Sequence, residues 1–220
     1  MRWRITRFLF GLLYRSRTLY WLASTIPFAG QWRTWQRLVM PHLRGHDILE
    51  LGCGTGTLLA DMVQAGYRCT GIDRSPQMVA ATRRELERRQ LGASRATILR
   101  ARAQSLPFDA RTFDTVISTF PTEYILDPVV IHEVARVLRA HGRVVILPGA
   151  SLTPGKPLLA PLLLIQRIVY GKPPSETTQD AARALPEGLA GAFERAGFAV
   201  RQERVRGPFW IAFLIIADRS

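Results

Sequence analysis

Apolar and polar positions fall in short blocks along this chain, and the blocks switch between a period of two and a period near 3.6. Ile48, Leu49 and Leu51 form a compact apolar run that reads as a short buried strand. Gly52, Gly54 and Gly56 follow at once, and Thr57 to Val63 then reads as a helix stopped by Gly66. Arg68 to Asp73 reads as a second strand that ends in a carboxylate. Ser75 is a good N-cap with Pro76 at the first helical position, so a helix is predicted from Pro76 to Gln90, with Gly92 after it. Ala96 to Arg100, Thr112 to Ser118 and Arg143 to Leu147 read as the third, fourth and fifth strands. Asp127 is placed to cap a helix from Pro128 to Ala140, with Val129, Val130, Val134, Val137 and Leu138 on its buried face and Gly142 at its end. Glu187 to Ala196 is a further helix, closed by Gly197. Ala199 to Val205 and Phe209 to Ala217 read as two strands joined through Gly207-Pro208, an antiparallel hairpin at the sheet edge.

Strands alternating with helices of roughly 10–15 residues argue an α/β fold with a doubly wound, mostly parallel sheet. Two stretches stand outside that rhythm. Residues 1–44 predict a basic amphipathic helical cap: Arg4, Arg7 and Arg15 fall within roughly an 80° arc on a helix, with Ile5, Leu9, Leu12 and Leu13 on the broad remaining face. Pro27 and Gly30 break this pattern, and a second helix is predicted from Gln31 to Val39, with Trp32, Trp35 and Val39 on its buried side. At about 150–175 the chain is punctuated by Pro and Gly yet rich in Leu and Ile, which predicts an apolar flap over a pocket or a membrane-dipping segment. Residues 45–220 are expected to form the α/β domain that carries this flap.

Composition sharpens the picture in three ways. About half of the 220 residues are apolar, so one domain with a full core is expected. Net charge is +13 and comes almost wholly from arginine, which favours anionic partners. The two cysteines, Cys53 and Cys69, sit inside predicted core elements without metal-ligand company. No metal site or disulfide framework is expected, and a reducing cytosol is the natural location. The apolar run from Pro157 to Tyr170 is shorter than the ~20 residues a membrane span needs. Phe8 to Tyr14 lacks the cleavage site of a secretion signal.

The chemistry centres on the glycines. Strand, glycine turn and helix bring backbone N–H groups close to a small ligand. The spacing Gly52-x-Gly54-x-Gly56 brings the third glycine one residue early for a dinucleotide fingerprint, and Glu50 is no part of that pattern. Asp73, at the end of the second strand, is well placed to accept two hydrogen bonds from a ribose diol.

Glu50-x-Gly52-x-Gly54-x-Gly56 resembles motif I of the class I S-adenosylmethionine-dependent methyltransferases. Ile48–Gly56, Thr70–Met78, Ser105–Ser118 and Glu133–Ile146 together resemble the ubiquinone/menaquinone-biosynthesis and "methyltransferase type 11" kind, with Arg136-Val137-Leu138 and Gly142-Arg143 where that family has its "RVL-PGG" segment. The resemblance implies a Rossmann-like seven-stranded sheet with an antiparallel C-terminal edge strand, and S-adenosyl-L-methionine as cofactor. It implies that Gly52, Gly54 and Gly56 line the methionine and ribose part, and that Glu50 acts near the methionine amino group. Asp73 would bind the ribose hydroxyls, and Arg74 and Met78 would pack by the adenine. Ala103 and Gln104 would contact the adenine edge, and Ser118 and Thr119 would flank the sulfonium. One departure stands out: where the family commonly has a Gly-Asp-Ala-Glu run, this chain has Ala101-Arg102-Ala103-Gln104. Either Gln104 takes over from the missing acid or the cofactor binds more weakly.

A sulfonium methyl is already activated, so the protein chiefly aligns the acceptor and excludes water. A general base is needed only for a poorly acidic acceptor, and the candidates are Glu123, Tyr124 and, from the cap, His42. His132 reads as structural. The loop Thr119–Tyr124 is not the Asn-Pro-Pro-Tyr of enzymes that methylate planar amino groups. The expected substrate is a hydrophobic small molecule, a quinone precursor or lipid. The basic aromatic N-terminus adds an anionic membrane surface as a partner, on the inner face of the membrane. Nucleic acid stands behind both, with an RNA-directed methyltransferase or a non-catalytic cofactor-binding scaffold as the alternatives.

Overall fold

The computed structural model describes residues 30–92, 95–153 and 187–219. The basic helix expected before residue 30, and the expected flap from residue 154 onward, lie outside the described residues. The described chain enters through α1 (Trp32–Gln36) and a 3-10 helix (Arg37–His42). It continues as β1 (Asp47–Leu51), α2 (Thr57–Gln64), β2 (Arg68–Asp73), α3 (Pro76–Arg88) and β3 (Ala96–Arg100). After these come β4 (Phe113–Thr119), a 3-10 turn (Glu123–Leu126), α4 (Pro128–Val137) and β5 (Leu138–Leu152). α5 (Glu187–Arg195), β6 (Phe198–Arg206) and β7 (Trp210–Arg219) close the described part.

The seven strands form one sheet in the order β3-β2-β1-β4-β5-β7-β6. β1 to β5 pair in parallel, while β7 runs antiparallel to both β5 and β6. The reversed strand therefore lies one place in from the edge, and β6 forms the edge. Alternate residues of a strand face opposite sides of a sheet. Ile48, Ile117, Val145 and Ile216 face one layer, built with Trp35 and Val39 and with Leu58, Leu59 and Met62 of α2. Leu49, Val116, Val144 and Ile215 face the other, where Val130 and Val134 of α4 and Leu189 and Phe193 of α5 cover them. Being buried on both faces is what makes these central strands near-continuous apolar runs.

Local signals fix most element ends. Ser75 Oγ accepts from Met78 N–H and Asp127 accepts from Val129 N–H, so both predicted caps form. Gly66 closes α2 with φ +101°. Three elements differ from the expected boundaries. The entrance helix gives way to a 3-10 helix at Arg37, because Pro41 has no N–H to donate and its ring clashes with the carbonyl four residues back. Trp35 and Val39 are buried as expected, while Trp32 is only half-buried.

α4 stops at Val137 rather than Ala140. Its last carbonyls are taken from outside the helix: Arg111 and Thr112 N–H donate to Arg136 and Val137 (3.0 and 2.8 Å), and the Arg219 guanidinium donates to Ala135 and Leu138. β5 in turn runs on through Leu152, beyond the expected Leu147 and into the expected flap. Ala150, Ser151 and Leu152 pair with Ala212, Ile211 and Trp210, and the register shifts between Ile146 and Gly149. Pro148 sits in that shift, where a residue without an N–H costs the ladder nothing.

Candidate active site

The C-terminal ends of β1, β2, β3 and β4 meet on one side of the sheet. β1 ends at Leu51, and Gly52 turns with φ +72°. The Gly52 and Cys53 N–H groups both donate to Ile72 O (2.8 and 3.0 Å), which holds the glycine turn against β2. Gly52 is exposed, and a Cβ there would lie 3.2 Å from the Tyr124 hydroxyl, so its backbone is open to a ligand. Gly56 is different. It is buried at the start of α2 with φ +75°, and a Cβ would come within 2.5 Å of Thr82 Cγ2 and 2.8 Å of Thr82 Cα. Its glycine is required by the packing of α2 on α3.

Asp73 closes β2 with its carboxylate fixed from two sides. Gly54 N–H donates to Oδ2 (3.1 Å) and Ser75 N–H to Oδ1 (2.8 Å). Burial pushes its pKa above the usual carboxylate range, and these two N–H groups and the Arg74 charge pull against it. Each oxygen keeps a further lone pair, so a vicinal diol can still donate to both.

Glu50 shares the face of Ile48 and is 2 % exposed. Its Oε2 has no hydrogen-bond partner among the described residues. Desolvation, and then the charges of Asp73 and Asp61, push its pKa up to about 8. Asp61 behaves oppositely. Burial raises it, but Arg33 and Arg89 outweigh that and hold it below the usual range, each at 2.5 Å. Glu50 is thus a buried acid without a cation, and Asp61, also buried, is an acid with two. An orphaned carboxyl beneath an open glycine turn, with a diol acceptor beside it, fits a ligand that carries an ammonium and a ribose.

At the end of β4, Ser118 Oγ lies 3.1 Å from Leu51 O and 2.8 Å from the Tyr124 hydroxyl, which is itself 3.2 Å from Leu51 O. Two hydroxyl protons serve three contacts, and both are spent within the protein. Tyr124 thereby ties the turn after β4 to the end of β1. Thr119 Oγ1 accepts from Gln36 Nε2 (3.3 Å), and Phe120 follows with φ +50°, a left-handed conformation that costs a bulky residue energy. Trp32 stacks on Phe120 with ring centroids 4.1 Å apart.

The structure therefore brings Glu50, Gly52, Gly54, Asp73, Ser118, Thr119 and Tyr124 to one end of the sheet. Arg74 is exposed there, and Met78 is buried with its N–H on Ser75. Ala103 is partly buried, and the exposed Gln104 gives its side-chain amide to Asp127 Oδ2 (3.2 Å), the cap of α4. Glu123 is exposed and enters no hydrogen bond or ion pair among the described residues. His42 is a correction. Its carbonyl accepts from Arg143, which pairs with Thr115 at the opposite end of β4, and its Nε2 lies 3.5 Å from Glu203 Oε2. Pro41 and the 3-10 turn carry it down the sheet, away from the glycine loop. Trp32, Gln36 and Arg100 were missed as site residues. Arg100 was legible, since it ends the third strand on the rim where α/β sheets bind ligands.

A sheet of this order, with β7 slipped in antiparallel, defines the Rossmann-like methyltransferase class. The geranyl diphosphate C-methyltransferase of Streptomyces coelicolor A3(2) shares the fold, with TM-score 0.61 and 16% identity over 85% of this chain and 79% of that one. A methyltransferase of Aquifex aeolicus shares it with TM-score 0.57 and 15% identity, over 84% and 89% of the two chains.

Residues 48–142 match the family model described as a methyltransferase domain. The chain is 30% identical over 187 residues to the demethylmenaquinone methyltransferase of Clavibacter sepedonicus, covering 79% of this chain and 74% of that protein. It is 39% identical over 106 residues to the phosphatidylethanolamine N-methyltransferase of Cereibacter sphaeroides, of which it spans about half (51%). The chain belongs to the class I S-adenosylmethionine-dependent methyltransferases, with S-adenosyl-L-methionine as its methyl donor. No helix among the described residues is long and apolar enough to cross a membrane.

Proposed function

We propose that this enzyme methylates a hydrophobic small molecule, a quinone precursor or a lipid, at a membrane surface. The observation that carries the reading is the Trp32–Phe120 stack beside Thr119, which puts an aromatic wall at the end of β4. Relatives named for a menaquinone precursor and for a phospholipid support the same acceptor class. In this reading Gly52 and Gly54 give the cofactor backbone contact, Asp73 holds its ribose hydroxyls, and Glu50 faces its ammonium. Arg74, Met78, Ala103 and Gln104 lie toward the adenine, and Ser118 and Thr119 toward the sulfonium. Gly56 serves this site through packing.

The bound cofactor supplies a methyl group on a sulfonium, ready for in-line displacement. The chain's own work is to hold the acceptor in line and keep water out. His42 takes no part as a base, and the Tyr124 proton is spent within the protein. An acceptor whose reacting atom is nucleophilic without strong base fits this site best. The RNA-directed reading weakens because arginines near acids are bound to them, as Arg68 and Arg139 are to Asp47.

The test pairs methyl transfer from labelled S-adenosylmethionine to a demethylated naphthoquinol or to phosphatidylethanolamine with flotation on anionic vesicles. Transfer to either acceptor, weakened on Trp32→Ala, supports the reading. Transfer only to water-soluble acceptors or to RNA, with no flotation, overturns it.

A further inference from the structure

Beyond Asp73 the rim of the sheet opens into a cavity of about 600 Å³, lined by Arg74, Ser75, Gln77, Arg100, Ala101, Arg102 and Ser105. That volume lies in the range of small-molecule sites. Three of the seven lining residues carry a guanidinium and none carries a carboxylate. The backbone holds them together: Arg100 pairs with Asp73 across β2 and β3, its Nε donates to Arg74 O (3.3 Å), and Arg102 bridges to Ser105 across a tight turn.

What marks the three is their lack of counter-charge. Elsewhere arginines near acids are engaged: Arg33 and Arg89 hold Asp61, Arg68 and Arg139 hold Asp47, and Arg143 and Arg201 hold Asp218. Among the described residues Arg74, Arg100 and Arg102 enter no ion pair. Asp73, the nearest acid in the chain, cannot serve as a close partner, because each of its oxygens already takes a backbone N–H. Like charges gathered round one cavity repel, and a planar guanidinium binds phosphate oxygens through paired N–H donors.

We propose that this cavity is an anion site that takes a phosphate-bearing group on the guanidiniums of Arg74, Arg100 and Arg102. The site goes beyond methyl transfer, because S-adenosylmethionine has no phosphate. Its ligand is a separate anion bound next to the cofactor's ribose end, either a soluble phosphate compound or a lipid phosphate.

The experiment is calorimetric titration of the full chain with inorganic pyrophosphate at moderate salt, in three proteins: the natural chain, Arg100→Gln/Arg102→Gln, and Arg84→Gln/Arg206→Gln. The last removes the same charge from exposed arginines that do not line the cavity. Saturable binding that weakens about tenfold or more in the first variant and less than about twofold in the second is expected, since each charge-assisted hydrogen bond lost costs upwards of a kcal/mol. No saturable binding, or equal weakening in both variants, overturns the site. A parallel flotation on phosphatidylglycerol vesicles distinguishes the sources. Loss of flotation in Arg100→Gln/Arg102→Gln alone assigns the site to a lipid phosphate. Unchanged flotation beside lost pyrophosphate binding assigns it to a soluble one.

Discussion

At the N-terminal end of the parallel strands every acid is matched. Asp47 meets Arg68 and Arg139, Asp114 meets Arg139 and the N–H groups of His46 and Asp47, and Asp218 meets Arg44, Arg143 and Arg201. At the C-terminal end charges are left over: Glu50 has no cation, and Arg74, Arg100 and Arg102 have no acid. The same sheet thus carries two designs. One end spends its charges on itself and gains stability, while the other holds them unmatched for ligands and gives stability up. Substitutions at the two ends should therefore fail in different assays.

The largest effect is expected at Asp73. Asp73→Ala removes both diol acceptors, and two charge-assisted hydrogen bonds are together worth about 3 kcal/mol, or about a hundredfold in affinity. Calorimetric titration with S-adenosylmethionine and S-adenosylhomocysteine should show that loss in a protein that still melts cooperatively. Unchanged affinity would remove Asp73 from the cofactor site and end the contrast drawn here.

Asp114→Ala should do the reverse. It strands two backbone N–H groups and one arm of Arg139, a cost of about 2 kcal/mol after allowance for solvent screening at this partly exposed site. In a chain of this size that lowers Tm by about 4–8 °C. Cofactor affinity of the folded protein should stay within about twofold, and a larger change would couple the two ends. Matched acids also set the acid limb. Asp47, hydrogen-bonded by Arg68 and Arg139, has its pKa lowered to about 2, so its contribution is present above pH 4 and is lost as pH falls toward 2.

The two ends also differed in how far they could be read from residues alone. The glycine turn, Asp73 at the end of β2, and the caps Ser75 and Asp127 are local devices whose cause lies within a few residues, and each stands where the pattern put it. What escaped depends on distant partners. Nothing near Val137 ends α4: its carbonyls are taken by Arg111, Thr112 and Arg219. Nothing near Leu147 prolongs β5, which continues because β7 offers Trp210 to Leu152. His42 looked like a cap residue above the pocket because Pro41 was given too little weight, and Trp32 looked like plain core until Phe120 was found against it. Gln104 faces Asp127, so the missing acid at Arg102 has no substitute from that side chain, a contact no local pattern encodes.

The smallest effect is a pH dependence that belongs to Glu50. Its pKa is about 8 in the folded chain and near 4.5 when unfolded. Below pH 4.5 both states are protonated and burial costs nothing. Between 4.5 and 8 the unfolded chain ionises and the folded one does not, so stability falls as pH rises, and above 8 the loss is complete. Glu50→Gln keeps the shape without the charge. It should melt with the natural protein at pH 5 and several degrees above it at pH 8, since each kcal/mol moves Tm by about 2–4 °C here. Equal melting at both values would mean that Glu50 is ionised and compensated. Binding should reverse the penalty: a cationic ammonium brought to Glu50 favours the carboxylate, so the natural protein releases a proton on taking up the cofactor at pH 7. Titrations in buffers of different ionisation enthalpy read that proton directly, and Glu50→Gln should bind with none released and with lower affinity. A variant that is more stable and binds worse is what an unmatched charge kept for a ligand requires.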